Sequence, residues 1–419
     1  MANITVSSLS NALKKYWPQS DLKSHLYTNR PLIGMLRKDE KAGGDEIWLP
    51  IRTAPGSGRS ATFSDAQGNK GPATYARFEL TLVTDYATFS INGQAIRKAR
   101  LDPWKTIRQI ASDGDAVRTA LENSVAHALY SNGGGAIGKI VSGGGTTTLT
   151  LTDDGDTNMI AFEEGLNVDC SNTDGTSGAV DGDPVVISAT NPVARTITKT
   201  GGNWNASGNY SDDDYIFAEG DFGAKASGLA AWVPPSDPSS TSFFGVDRTA
   251  NILKLGGYRR TLDTSKDGDL HRGFINVSAD LHQFGASPDS LFMNPIDWAY
   301  LDHEIEGKTT YEKMTSRDQG GPFSTVGYET IRIMGAAGPI NVYADPWCPK
   351  KRAYMLTLDE CCLFSLGNVV GWLNEDDVGN ILREATTDSY EGRFGGYFQL
   401  GVEMPGHQAT IDTSAMLPY

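Results

Sequence analysis

The sequence predicts an α+β chain interrupted by an all-β insertion. Three observations carry that prediction. Stretches with strand periodicity and stretches with helical periodicity alternate through residues 45–131 and again from 228 onward. The segment between, 134–227, holds 16 of the 47 glycines, only four basic residues and no helical pattern. At 419 residues the chain is long enough for two or three domains with substantial cores.

Residues 1–44 read as an arm. Residues 7–17 favour a short helix ended by Pro18, and Ser20 is placed to cap a second one running through Leu26 toward Pro31. Leu13, Tyr16, Trp17, Leu26 and Tyr27 are too few to make a core, so they are expected to dock on another surface. Residues 45–92 read as one long extended hairpin. Ile47, Leu49 and Ile51 alternate with other residues, as do Phe78, Leu80 and Leu82 in a β-rich run reaching Ile91. The connection 54–75 is rich in Gly, Pro and Ser, and a structureless segment of that length is unusual inside a compact domain. It is expected to project from its own domain and to find its order on a partner.

Residues 102–131 predict a helix. Asp102 suits the N-cap, Pro103 the first helical position, and Ile107, Ile110, Val117, Leu121, Val125 and Ala128 share one face. Gly114 is a candidate break, and Ser131 to Gly135 is a terminator. In 134–227, β-type runs at 146–152, 184–188, 195–200 and 215–218 are separated by Gly, Asp and Asn turns, predicting a small barrel or sandwich. From 228 the mixed pattern returns. A helix is expected over 270–284, a strand over 290–293 and a helix from Pro295 containing Trp298, Leu301 and Ile305. Strands follow at 329–334, 340–343, 353–357, 361–366 and 394–404.

Composition narrows the function. Apolar content of 39% and charged content of 21% are those of a globular protein, and no apolar run approaches the roughly 18 residues of a membrane helix. The first residues carry no signal-peptide pattern, which leads us to expect a cytoplasmic origin. The four cysteines lack metal or redox spacing and are expected to be free thiols. A net charge of −15 argues against gripping nucleic acid. Residues 1–133 carry 17 basic and 12 acidic side chains, net +5, whereas 134–227 and 228–419 are each net −10. A basic front and an acidic remainder fit a protein that pairs with its own copies, and equally fit ordinary solubility charge.

No chemistry-bearing constellation emerges. Gly133 to Lys139 matches the front of a phosphate-binding loop, but a helix precedes it, β-type sequence follows, and Ile140 stands where the metal-binding hydroxyl belongs. Asp153, Asp154 and Asp156, and Asp212, Asp213 and Asp214, lack calcium-loop spacing and read as turns. His303-Glu304 lacks the second histidine of a zinc helix, and Cys361 and Cys362 alternate across a strand. Glu391 near Arg393 reads as an ion pair. No metal, cofactor or enzyme activity is expected.

The order of arm, extended hairpin, long helix, α/β body and returning strand resembles the major capsid fold of tailed bacteriophages, the Hong Kong 97-type or Johnson fold. Several stretches carry the resemblance: Gly228-Leu229 after the insertion, the helix 270–284, and Asn294-Pro295-Ile296-Asp297-Trp298 at the next helix start. Ala344-Asp345-Pro346 at a strand end, the strands 354–356 and 363–366, and the run from Asp388 to Pro405 complete the set. The resemblance covers about 325 residues, all but 134–227.

It implies an N-arm at 1–44, an E-loop at 45–92, and a peripheral domain of 93–133 (with the spine helix), 228–270 and 386–419. An axial domain is implied at 271–385, with 134–227 inserted. It also implies self-assembly into pentamers and hexamers of an icosahedral head in the virion, formed in the host cytoplasm around double-stranded DNA that is not specifically bound. A portal protein is implied, a decoration protein is allowed for, and, since no scaffolding segment precedes the arm, a separate scaffolding protein is expected. Intersubunit contacts would fall on Tyr16 and Trp17 of the arm and on Arg52, Arg59, Lys70, Tyr75 and Arg77 of the loop. Competing readings are an encapsulin-like compartment shell, a β-rich carbohydrate-binding or adhesion protein, and an α/β enzyme. The insertion weighs against the first, the missing signal peptide against the second and the empty catalytic search against the third.

Overall fold

The computed structural model describes residues 30–44, 46–94, 103–206, 209–239, 241–306, 331–373, 381–384 and 386–418, with backbone alone for 103–113 and 381–382. The helices expected at 7–17 and 20–31 therefore lie outside the described residues up to Arg30. A short helix, Pro31–Met35, opens the described chain, its proline in the first turn where no hydrogen bond is lost. Strand β1 (Arg37–Asp39) follows, then β2 (Ile47–Ala54) and β3 (Thr74–Leu80), an antiparallel pair. Strand β4 (Val83–Asn92) leads to α1 (Pro103–Tyr130), a continuous helix of 28 residues, about 42 Å long. Gly114 does not break it. A Cβ there would make ordinary contact with the Phe89 ring at 3.6 Å, and one interior glycine weakens a helix by only about 1 kcal/mol.

After α1 the chain closes a six-stranded antiparallel barrel. Its strands are β5 (Ala136–Ser142), β6 (Thr148–Leu151), β7 (Asn167–Ser171), β8 (Val185–Asn191), β9 (Thr196–Lys199) and β10 (Tyr215–Ala218). They run in the order β10-β5-β6-β9-β8-β7, and the β10–β7 pair closes the ring. Inward residues such as Ile140, Leu149, Val168, Ile187, Ile197 and Ile216 give the barrel its own core. The buried indole of Trp204 donates to the Thr147 carbonyl at 2.9 Å, and the Tyr210 hydroxyl to that of Val168 at 2.7 Å. The glycine run entering the barrel answers to packing. A Cβ on Gly134 would lie 2.0 Å from the Asp174 carbonyl oxygen, so only glycine permits that approach.

The remaining chain forms two sheets. Strands β11 (Tyr258–Thr261), β12 (Ser290–Met293), β13 (Ile331–Met334), β14 (Pro339–Ala344) and β15 (Arg352–Leu356) belong to the second sheet. Helices α2 (Leu270–Gln283) and α3 (Pro295–Glu306) contribute Phe274, Val277, Leu281, Leu301 and Ile305 to the core over that sheet. Asp269 caps α2 by accepting from the Arg272 amide at 2.9 Å. Strands β16 (Cys361–Ser365), β17 (Gly371–Trp372), β18 (Ile381–Arg383) and β19 (Ser389–Val402) make the first sheet with β1 and β4. The last strand, β20 (Ala409–Asp412), sits between β11 and β15 in the second.

These pairings redraw three expected boundaries. The stretch 83–92 is not part of the hairpin: β4 pairs with β19 from Asn92↔Ser389 to Val83↔Phe398. Strand β16, expected within 271–385, pairs with β19 in the first sheet, Cys361 opposite Val402. Strand β20, expected among the terminal strands 386–419, parts from β19 and joins the second sheet. A turn at Pro405–His407 carries the chain across, held by Glu360, which receives His407 at 2.7 Å and Gln408 at 3.0 Å. One large core ties the layers together. Val125, Leu129 and Tyr130 of α1, Phe292 and Tyr354 of the second sheet, and Leu363 and Leu400 of the first all share it.

Asp345 is buried where these layers meet. It accepts from the Tyr130 hydroxyl at 2.8 Å, the Trp347 amide at 2.9 Å and the Leu32 amide at 3.3 Å. Desolvation outweighs those bonds and pushes its carboxyl up to about 6. An acid whose folded pKa lies above its unfolded value binds more protons when folded, so its penalty at neutral pH is relieved as pH falls through 6 toward 4. Relative to Asp345→Asn, the native chain is expected to gain up to about 3 kcal/mol between pH 7 and pH 4. Urea midpoints of both proteins across that range provide the check. A difference that does not move with pH would refute the raised carboxyl.

Candidate assembly surface

The hairpin β2–β3 is two-faced because strand side chains alternate. Ile47, Leu49, Ile51, Ala76, Phe78 and Leu80 point to the body, where Ile51, Phe78 and Leu80 are buried. The Phe78 ring meets Trp232 edge-on at 5.1 Å and Phe243 at 6.3 Å. Lys254 Nζ donates to the Thr53 carbonyl at 2.6 Å, and the Glu79 amide to that of Phe244 at 2.9 Å. The hairpin base is thus fastened to its own subunit. Beyond that base, 54–75 is exposed almost throughout, and what the structure corrects is the expectation that it finds its order only on a partner. The tip is not structureless either. It carries a short helix, Phe63–Gly68, and the Gly71 amide closes back on the Ser57 carbonyl at 3.4 Å.

The outward face collects Trp48, Pro50 and Arg52 from β2 opposite Glu79, Arg77 and Tyr75 from β3. The Arg77 guanidinium lies 4.0 Å from the centre of the Trp48 ring and is ion-paired with Glu79. Trp48 is 58% exposed, Tyr75 68% and Phe63, at the tip, 83%. Arg52 is exposed beside them, and Arg59 and Lys70 are exposed on the tip. Residues 52–77 hold four basic side chains and one acidic, net +3. A surface of aromatic rings and cations is suited to burying those rings against a partner that supplies carboxylates.

Of the contact candidates named from sequence, Arg52, Arg59, Lys70, Tyr75 and Arg77 therefore share one hairpin. Tyr16 and Trp17 lie outside the described residues. The sequence reading passed over Trp48 and Phe63. For Trp48 the signal was present: if Ile47, Leu49 and Ile51 face inward, residue 48 must face out.

Elsewhere one aspartate of each acidic turn is ion-paired. Asp153 pairs with Lys350 at 2.7 Å and with Arg195, and Asp213 with Lys139 at 3.1 Å. Among the described residues, no three His, Cys, Asp or Glu side chains are arranged to hold a metal, and no helix is long and apolar enough to cross a membrane. All four cysteines are free and buried.

No family model and no curated protein sequence matches the chain. Solved structures do. A chain of the capsid asymmetric unit of cyanophage A-1(L) is similar with a TM-score of 0.55 at 10% identity, covering 98% of this chain and 99% of that one. The chain has a phage-capsid fold. A capsid chain of the native GTA particle gives a TM-score of 0.48 at 10% identity, covering 99% and 100%. An encapsulin complex from Synechococcus elongatus gives 0.48 at 9%, covering 100% and 98%. Within this capsid fold, the hairpin displays its aromatic and cationic residues on the face turned away from the body.

Proposed function

We propose that the chain is the major capsid protein of a tailed bacteriophage, of the Hong Kong 97 type. On this reading it assembles with copies of itself into pentamers and hexamers that close an icosahedral shell around the genome. The observation that carries the reading is the likeness to the cyanophage capsid chain over almost the full length of both molecules. The hairpin supports it, since exposed aromatic rings ringed by polar groups mark protein contact surfaces.

In the terms of that family, residues 47–80 are the E-loop and α1 is the spine helix. The first sheet is then the peripheral layer, the second sheet the axial layer, and the barrel an insertion. Copies meeting head-to-tail around local five- and six-fold axes would form closed rings. A separate scaffolding protein, a portal and a decoration protein belong to the same proposal, as does assembly in the host cytoplasm.

Negative-stain microscopy of the full chain, coexpressed with neighbouring genes, tests it. Closed shells, or rings of five and six subunits, are expected. A persistent monomer that turns over a substrate would sink the proposal. Shells filled with a cargo enzyme rather than DNA would turn it toward a compartment.

A further inference from the structure

Residues 30–42 cross the body as a strap, held by a few apolar side chains and by a series of polar ties. The helix Pro31–Met35 has five residues, far below the length at which a helix is stable alone. All three residues of β1 are exposed, so β1 is held to β16 by backbone pairing rather than by apolar side chains. Pro31, Leu32, Leu36 and Ala42 are buried, and Ile33 and Met35 pack against the main core. The remaining ties are polar. Arg30 Nε donates to Asn123 Oδ1 at 3.0 Å and Nη2 to the Thr119 carbonyl at 3.3 Å, and the guanidinium pairs with Glu122. At the far end the Ala42 amide reaches the Ser365 carbonyl at 3.3 Å.

Between those ends lies Asp345, 1% exposed. Its Oδ2 receives both the Leu32 amide of the strap and the Tyr130 hydroxyl at the end of α1, while Oδ1 receives the Trp347 amide in the turn after β14. None of these donors is charged. A carboxylate buried without a cation is costly, and the fold retains one where strap, long helix and second sheet converge. We infer that Asp345 is the latch of a strap: it fixes residues 30–42 on the body, and without its carboxyl group the strap opens while the sheets and the barrel stay folded. Tyr130 and Trp347 hold the latch in place from the body side, and Arg30 pins the point where the preceding chain joins α1. This inference stands whether or not the subunit builds a shell.

Peptide-resolved amide hydrogen exchange on the full chain tests it, comparing the native protein with Asp345→Ala, Tyr130→Phe and Arg30→Ala. Asp345→Ala is expected to speed exchange across 31–42 by about tenfold or more, with less than about twofold change in the barrel and in α2. Tyr130→Phe, which keeps the carboxylate and removes one donor, is expected to give the same pattern at smaller amplitude. Arg30→Ala is expected to loosen the start of the strap. If Asp345→Ala does not fold, the other two variants decide. Unchanged exchange at 31–42, or equal acceleration throughout the chain, would overturn the latch.

Discussion

Replacing Trp48, Tyr75 and Arg77 together with alanine is expected to leave the subunit folded and to stop closed shells from forming. The three side chains lie on the outward face of the hairpin, where Trp48 and Tyr75 are more than half exposed. Truncating exposed residues changes subunit stability by roughly 0.5 kcal/mol each, so the thermal midpoint should move by no more than a few degrees. Association is a different matter. Trp, Tyr and Arg are the side chains whose loss from a contact costs about 2 kcal/mol or more apiece, and a loss of about 2.7 kcal/mol already weakens association a hundredfold. Every copy in a shell would lose the same contact. The Arg77 guanidinium also holds the Trp48 ring by stacking on it, so Arg77→Ala alone should reproduce part of the defect. Circular dichroism and melting report on the fold, and negative-stain microscopy on the shells. A folded triple variant that closes shells normally would remove the hairpin face from the assembly proposal.

Trp232→Ala, by contrast, is expected to damage the subunit itself. This indole is fully buried, and its ring meets Phe78 at 5.1 Å, Phe243 at 5.2 Å and Phe244 at 5.7 Å. Its Nε1 donates to the Leu400 carbonyl at 2.9 Å, joining the hairpin's seat to the C-terminal end of β19. Removing a buried aromatic side chain costs about 3–5 kcal/mol, a large share of the 5–15 kcal/mol by which a native protein is stable. Gln399 Nε2 also reaches the Leu400 carbonyl, at 3.3 Å, so that oxygen keeps a donor and the packing loss dominates. Trp232→Phe retains most of the packing and should cost about 1–2 kcal/mol. Denaturation midpoints order the three proteins. The Ala variant should also free the hairpin, visible as faster amide exchange in β2 and β3. Equal midpoints for the native and Ala proteins would mean that the aromatic cluster is not the hairpin's anchor.

Much of the secondary structure was legible because it is written in local pattern. Four apolar-rich residues between Pro288 and Pro295 announce β12, and the i, i+3, i+4 spacing of Phe274, Val277 and Leu281 announces α2. The Gly and Asp turns of 146–218 separate β6, β8, β9 and β10. Strands with weak local signals were missed. In β5 the glycine run and Gly138 hide the alternation, and β7 reads Asn-Val-Asp-Cys-Ser, with one β-branched residue. The contact surface was half legible: its cations and Tyr75 were named, whereas Trp48 required deciding which face of β2 points inward.

What no local pattern could convey is partnership. That 83–92 leaves the hairpin to pair with 389–402, that β20 crosses to the second sheet, and that Asp345 meets Leu32 across 313 positions are decided by tertiary packing. Periodicity depends on neighbours two to four residues away, so the sequence carries it openly. Sheet partners and buried polar junctions depend on which distant segments fill the same core, and many pairings satisfy the same alternation until packing selects one.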